Sequence, residues 1–242
     1  MKIELNNRVA LVLGETGAMT TAICKQLSQS GARVVIVCRD GNVGDWQTKL
    51  NESGGAVSAF KADITDFDEC VRLVETIESS IGPIDIIING SELNETIPFH
   101  TMNKAEWENM ISDNIDAVFN ICRNLAEKMS NRGFGRIINI SSIIGRMGRP
   151  GQSHRAAAKA GIHGFTMALA QELARKGVTV NTVSPGYIAE AGNTDNETIS
   201  TIPAGRPGSV EEVASLVDFL CSDQAGFING ADIPVNGGQY IH

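Results

Sequence analysis

Short runs of apolar, mostly β-branched residues alternate with amphipathic segments along the whole chain. The apolar runs lie at 9–13, 33–38, 57–60, 84–88, 137–140, 178–183 and 232–235. Segments with helical periodicity lie between them, at 19–30, 66–80, 107–130, 156–176 and 209–221. Continuous Val and Ile runs are typical of strands buried on both faces, and intervening helices are the usual connection between parallel strands. The pattern predicts an α/β fold: a doubly wound parallel sheet of about seven strands with helices on both faces.

Length and composition narrow the class of protein. A chain of 242 residues without a linker, repeat or low-complexity segment predicts a single domain over residues 1–242. The formal net charge of -8 argues against a nucleic-acid partner. No stretch has the length of an apolar membrane span and the first residues lack a signal-peptide core, so we expect no membrane partner and a cytoplasmic protein. Five scattered cysteines without zinc or redox spacing predict reduced core thiols and no metal site.

The region after the fifth apolar run carries the most specific motif. Residues 135–142 read Gly-Arg-Ile-Ile-Asn-Ile-Ser-Ser, and residues 151–161 read Gly-Gln-Ser-His-Arg-Ala-Ala-Ala-Lys-Ala-Gly. These segments resemble the active-site region of the short-chain dehydrogenases/reductases, which carry a serine followed by Tyr-x-x-x-Lys. Ser142 and Lys159 match the family's serine and lysine, and Arg155 stands at the tyrosine position.

The resemblance covers nearly the whole chain and is closest to 3-oxoacyl-carrier-protein and acetoacetyl-CoA reductases. It implies a Rossmann-type fold, and it places Asn114 at the family's catalytic asparagine. The replacement at Arg155 changes the chemistry, because a guanidinium only donates hydrogen bonds and stays charged at any accessible pH. It cannot give up a proton and regain it, as the phenol of a tyrosine can.

The turn after the first strand departs from the family's Thr-Gly-x-x-x-Gly-x-Gly pattern. Gly14 matches the first glycine, whereas Ala18 and Thr20 stand at the other two. Those glycines let the backbone approach a pyrophosphate at a helix N-terminus. We expect the side chains of Ala18 and Thr20 to crowd that approach, and Glu15 adds a carboxylate beside an anion site.

At the other positions that contact the cofactor in this family, some residues match the family's pattern and others depart from it. Arg39 is where a basic residue could meet the 2′-phosphate of NADP, and Asp63 matches a position that contacts the adenine amine. Asn89 matches the family's Asn-Asn-Ala-Gly segment, although Glu92 adds negative charge to it. Glu190 replaces a threonine that hydrogen-bonds the cofactor. These changes predict a vestigial cleft that binds no cofactor, whereas a functional cleft would hold NADP(H) or NAD(H).

The first hypothesis is a catalytically inactive subunit of a hetero-oligomer, dimeric or tetrameric. An active paralogue in that oligomer would act as a 3-hydroxyacyl-CoA/3-oxoacyl thioester dehydrogenase. Within the family, the two long central helices pair across such an interface; here they correspond to 107–130 and 156–176.

Two alternatives stay open. The chain could be an active NADP(H)-dependent 3-oxoacyl thioester reductase with rearranged groups. Arg155 would then act as a fixed cation, and Ser142, His154 or water would supply the proton. The chain could also be a non-enzymatic binding or regulatory protein that holds an anion between Arg155 and Lys159. In a variant of this last hypothesis, Glu190 pairs with Arg155 and closes the cleft.

Overall fold

The computed structural model describes residues 3–15, 17–39, 43–52, 57–90, 95–189 and 196–241. The strands in these ranges are Val9–Leu13 (β1), Arg33–Cys38 (β2), Val57–Lys61 (β3), Ile84–Asn89 (β4), Gly135–Ile140 (β5), Val178–Pro185 (β6) and Asp232–Val235 (β7). The α-helices are Ala18–Gln29 (α1), Val43–Glu52 (α2), Phe67–Ser80 (α3), Lys104–Ile111 (α4), Ala117–Arg132 (α5), Ile144–Met147 (α6), Ser153–Leu173 (α7), Asn196–Ser200 (α8) and Val210–Cys221 (α9).

All seven strands join one parallel sheet in the order β3-β2-β1-β4-β5-β6-β7. The chain moves outward from β1 to β3 and then returns to place β4 on the other side of β1. This reversal leaves a crevice outside the carboxyl ends of β1 and β4, where doubly wound sheets bind their ligands. The predicted fold class is therefore confirmed.

Each face of the sheet is covered by its own hydrophobic layer. Along β1, Ala10 and Val12 pack into the layer that holds buried residues of α1 and α9. Val9, Leu11 and Leu13 pack into the opposite layer, with buried residues of α3, α5 and α7. Because successive side chains of a strand point to opposite faces, a strand covered on both sides is apolar at most positions, and any buried polar side chain on it needs a hydrogen-bond partner. This requirement explains the unbroken Val and Ile runs.

The helical segment predicted at 107–130 is interrupted. It consists of α4, a single π-helical turn at Ser112–Asp116, and α5. Inside the turn, Nδ2 of Asn114 donates to the carbonyl oxygen of Met110 at 2.9 Å. A side-chain amide that bonds a carbonyl of its own helix competes with the backbone ladder, and such π-turns are frequent at functional sites. Helical periodicity alone could not reveal the turn.

The five cysteines are buried and free, as predicted. Burial raises the pKa of the Cys24 and Cys122 thiols to about 12, so both stay protonated near neutrality. Within the described ranges, none of the helices combines the length and the apolar character needed to cross a bilayer.

Candidate functional site

A cleft with a volume of about 970 Å³ opens at the carboxyl edge of the sheet. Its walls come from the segments that follow four adjacent strands: Glu15 after β1, Gly90 after β4, Ser142 after β5 and Tyr187 after β6. Parallel strands bring their carboxyl ends to one edge, so residues far apart in the sequence meet there. Arg155, on the first turn of α7, joins the same lining.

The turn between β1 and α1 leaves its helix N-terminus open. Gly17 is the N-cap of α1, its first turn carries no acidic residue, and no side chain among the described residues caps it. A Cβ built on Gly17 would meet no heavy atom within 4 Å. Uncapped N–H groups at a helix start attract an anion, so the described residues fit the pyrophosphate of a dinucleotide.

The two replaced glycine positions behave differently from each other. Ala18 is exposed and lines the cleft, so its methyl group faces any ligand there. Thr20 is only 8% exposed, and a Cβ built on Gly14 would come within 3.1 Å of its Oγ1. Thr20 therefore packs largely into the contact between strand and helix, although it also contributes to the lining of the cleft. Glu15 is exposed in the lining, where its carboxylate lowers the affinity for an anion.

Arg39, which follows β2, forms a charge cluster with Asp63 after β3 and Asp113 in the π-helical turn. Its Nη2 lies 2.7 Å from Oδ1 of Asp113, and its Nη1 lies 3.8 Å from Oδ1 of Asp63. Asp63 also accepts hydrogen bonds from the backbone N–H and the hydroxyl of Thr65. Partial burial alone would raise the pKa of the Asp63 carboxyl, but these hydrogen bonds and the charge of Arg39 outweigh it and lower that pKa. Asp113 was not identified from the sequence.

Asn89 is buried at 4% exposure and is not among the residues that line the cleft. Its Nδ2 donates to Oδ1 of Asn139 at 2.7 Å. The network continues from Asn139 to Thr166 on α7 and from Thr182 on β6 to the same threonine. Asn89 thus begins a polar chain that joins β4, β5 and β6 beneath α7. Asn89 was predicted to contact a cofactor, but its amide nitrogen donates within this network instead.

Ser142 and Arg155 share one wall of the cleft and are 6% and 7% exposed. The hydroxyl oxygen of Ser142 accepts a hydrogen bond from the N–H of Ile144 at 3.3 Å, which places the serine at the start of the segment leading into α6. Lys159 lies one helical turn after Arg155 and is 1% exposed. Its Nζ donates to the carbonyl oxygen of Ile140 at 3.2 Å, so this ammonium is held against the end of β5.

Asn114 and His154 lie outside the lining of the cleft. Asn114 is 1% exposed, and its Oδ1 has no hydrogen-bond partner among the described residues. His154 is fully buried, and neither ring nitrogen has a hydrogen-bond partner in the described parts of the chain. The hypothesis that His154 delivers a proton into the cleft is therefore not supported by its position.

Tyr187 is a cleft residue that sequence reasoning missed. It is partly buried, its N–H donates to Oε1 of Gln239 at 2.7 Å, and its carbonyl accepts from the N–H of Gly208 at 3.0 Å. The signal was a residue with a phenol group two positions after a buried strand, at the edge where a parallel sheet binds its ligand. Glu92 and Glu190, which the sequence analysis placed near the cofactor, lie outside the described residues.

Comparison with known proteins adds to this geometry. A family model described as short chain dehydrogenase matches residues 8–199. An acetoacetyl-CoA reductase of Allochromatium vinosum is 43% identical, over 97% of this chain and 99% of its own length. An acetoacetyl-CoA reductase of Cupriavidus necator is 40% identical, over 98% of this chain and 100% of its own. A 3-oxoacyl-acyl-carrier-protein reductase of Haemophilus influenzae is 36% identical, over 98% and 100%.

These relatives correct the first functional hypothesis. The prediction of a catalytically inactive subunit is wrong, because proteins about 40% identical over nearly the whole chain are named as reductases. The expectation that no nicotinamide cofactor binds is likewise unsupported. Assembly with an active paralogue stays a prediction.

Proposed function

Because this chain belongs to the short chain dehydrogenase family, we propose that it is an active NAD(P)H-dependent reductase of 3-oxoacyl thioesters with rearranged catalytic groups. The observation that carries the proposal is the identity of 43% to an acetoacetyl-CoA reductase across both chains. The cleft at the reversal point of the sheet supports it, because the open N-terminus of α1 suits a dinucleotide and Ser142 and Arg155 lie farther along the same lining.

When bound, a reduced nicotinamide supplies the hydride that the carbonyl carbon receives. The residues of this chain must then stabilise the negative charge that develops on the carbonyl oxygen. Arg155 is buried in the wall of the cleft, where a fixed cation interacts more strongly than in water. Ser142 offers a hydroxyl donor on the same wall. We propose that these two groups hold the 3-oxo oxygen.

The proton that completes the product hydroxyl must come from another group, because a guanidinium does not release one. Tyr187 is the only tyrosine in the described lining of the cleft, and a phenol can donate and regain a proton. We propose Tyr187 as the proton donor, with water as the second candidate. In the overall reaction the carbonyl carbon gains a hydride and the oxygen gains this proton.

The wall near Ser142 suits an acyl chain. Ile143, Ile144, Met147 and Ile188 contribute apolar side chains to the lining. An apolar wall beside a few convergent polar groups is typical of sites that bind a small ligand in a fixed orientation. This arrangement favours a short acyl thioester over a fully polar substrate.

Assembly with another chain of the same fold remains a proposal. The helices α4, α5 and α7 carry large apolar residues that are more than a third exposed, namely Trp107, Phe119 and Met167. Exposed residues of this kind are enriched in interfaces between subunits. The oligomeric mass of the purified chain, with and without co-expressed relatives, tests whether its partner is a second copy or a paralogue.

The decisive experiment is turnover by the purified chain alone. Oxidation of NADH or NADPH is followed with acetoacetyl-CoA as substrate, and the Arg155→Met variant is the comparison. Removing a donor that stabilises a developing oxyanion costs about 10²–10³-fold in kcat. A wild-type chain that binds a cofactor yet shows no turnover would overturn the proposal, as would an Arg155→Met variant of full activity.

A further inference from the structure

The ion pair between Arg39 and Asp113 lies at the position that discriminates between dinucleotides in this class of fold. In doubly wound sheets, the residue after the second strand contacts the adenosine ribose: an acidic group binds the 2′-hydroxyl, and an arginine accommodates a 2′-phosphate. Arg39 directly follows β2, which ends at Cys38. It is a basic residue where NADP-binding proteins carry one.

The guanidinium is already engaged by carboxylates. Asp113 lies 2.7 Å from Nη2 of Arg39, and its side chain is 12% exposed, so this pair is partly shielded from water. Asp63 lies 3.8 Å from Nη1 on the other side of the group. The arginine side chain itself is 42% exposed, which leaves its outer edge accessible to solvent.

The charges at this position disfavour a phosphate. Among the described residues of this cluster, one guanidinium and two carboxylates sum to a net charge of about -1, whereas a phosphate monoester carries about -1.5 to -2 near neutrality. A 2′-phosphate must therefore break a close ion pair or approach two negative groups. A ribose with free 2′- and 3′-hydroxyls meets no such repulsion, because hydroxyls donate hydrogen bonds to carboxylates.

We propose that Asp113, through its ion pair with Arg39, makes this chain prefer NADH to NADPH. The proposal rests on the proposed function in requiring a nicotinamide cofactor, and it names which of the two the chain uses. Asp113 is the specificity-determining residue, because its carboxylate both occupies Arg39 and repels the extra phosphate. Asp63 contributes to the same negative potential from a greater distance.

The test measures binding rather than turnover. Dissociation constants for NADH and NADPH are determined by fluorescence and calorimetry without thioester, for the wild type and for Asp113→Asn. We expect the wild type to bind NADH at least about tenfold more tightly, and Asp113→Asn to shift the ratio of the two constants about tenfold toward NADPH. Asp116→Asn is the matched control, because Asp116 is exposed on the same π-helical turn and its loss removes the same charge.

Each outcome of these binding measurements supports or overturns the inference. A wild type that prefers NADPH overturns the inference. So does an Asp113→Asn variant that keeps the wild-type ratio of dissociation constants, or an Asp116→Asn control that shifts this ratio as much as Asp113→Asn. If neither nucleotide binds the wild type, this inference and the proposed function fail together. If NADH binds with the expected preference but acetoacetyl-CoA is not reduced, only the proposed function fails. Asp113→Ser provides the same comparison if the asparagine variant does not fold.

Discussion

The hydroxyl of Ser141 lies 2.7 Å from Nε2 of His163, and this contact joins the end of β5 to the helix that carries Arg155 and Lys159. On its other side, Nδ1 of His163 lies 3.4 Å from Oδ2 of Asp232 at the start of β7. The hydroxyl of Ser141 also donates to the carbonyl oxygen of Lys159 at 3.1 Å, so Ser141 contacts α7 at two positions. The buried pair therefore holds α7 in register with the sheet.

This buried histidine predicts a pH dependence of stability. Burial lowers the pKa of His163 below its ordinary value, with Arg146 and Lys159 acting in the same direction and Asp232 opposing them. The unfolded chain therefore takes up a proton near pH 6.5 that the folded chain refuses. The free energy of unfolding should be greatest above about pH 6.5 and fall below it, by up to about 1.4 kcal/mol per pH unit.

Urea unfolding at a series of pH values from 7.5 to 5.5 measures this slope. The His163→Gln variant should show a flatter profile, whatever its absolute stability. His100→Gln is the control, because His100 is exposed and its loss should leave the slope unchanged. Identical slopes for the wild type and His163→Gln would contradict the assignment.

Two glycines allow the cost of a steric clash to be measured apart from the cost of backbone strain. Gly133 and Gly177 share a φ of 72°, in the left-handed region that favours glycine. A Cβ on Gly177 would press on the carbonyl oxygen of Gly133, whereas a Cβ on Gly133 would meet no heavy atom within 4 Å. Both Gly→Ala variants should cost about 1 kcal/mol for the backbone, and Gly177→Ala should cost about 1–3 kcal/mol more for the clash. Thermal unfolding of the two variants gives the difference; equal losses would contradict this interpretation.

The polar chain that begins at Asn89 should contribute measurably to stability. Replacing Asn89 with Ala removes the donor to Oδ1 of Asn139, a residue of β5 that is 1% exposed. An unsatisfied buried acceptor costs about 1–3 kcal/mol. Chemical unfolding measures the loss, and a double variant with Asn139→Ala should cost less than the sum of the two single variants. Strict additivity would show that the two amides act independently.

The proposed proton donor can be tested by removing the hydroxyl group of Tyr187. If Tyr187 donates the proton, Tyr187→Phe should lower kcat by about 10²–10⁴-fold, because general acid catalysis contributes about that much. The phenyl ring keeps the packing of the side chain while its hydroxyl is lost. A near-normal kcat for Tyr187→Phe would assign the proton to water instead.

Position 155 offers a complementary prediction. Arg155 does not titrate near neutrality, so its charge cannot shape the pH profile of kcat. Arg155→Tyr introduces a group that does titrate, one turn before the buried Lys159. The variant should therefore gain a pH-dependent step in kcat that the wild type lacks. Parallel profiles for the two proteins would contradict the view of Arg155 as a fixed cation.

Local pattern was enough to predict the architecture of this chain. Strand β1 is a continuous apolar run because both of its faces are covered. Ser142 after β5 and Arg155 and Lys159 on α7 keep a spacing specific to the family. Such features depend on residues close together in the sequence. The sequence therefore determined the parallel doubly wound sheet, the family and the wall of the cleft on which Ser142 and Arg155 lie.

The tertiary structure alone decided which charges and donors are available at the site. Arg39 meets Asp113 across a gap of 74 positions because β2 and the π-helical turn converge on one edge of the sheet. His154 is buried away from the cleft although it adjoins Arg155, since neighbouring positions on a helix face different directions. Such contacts arise from the docking of separate elements, and no local periodicity encodes them.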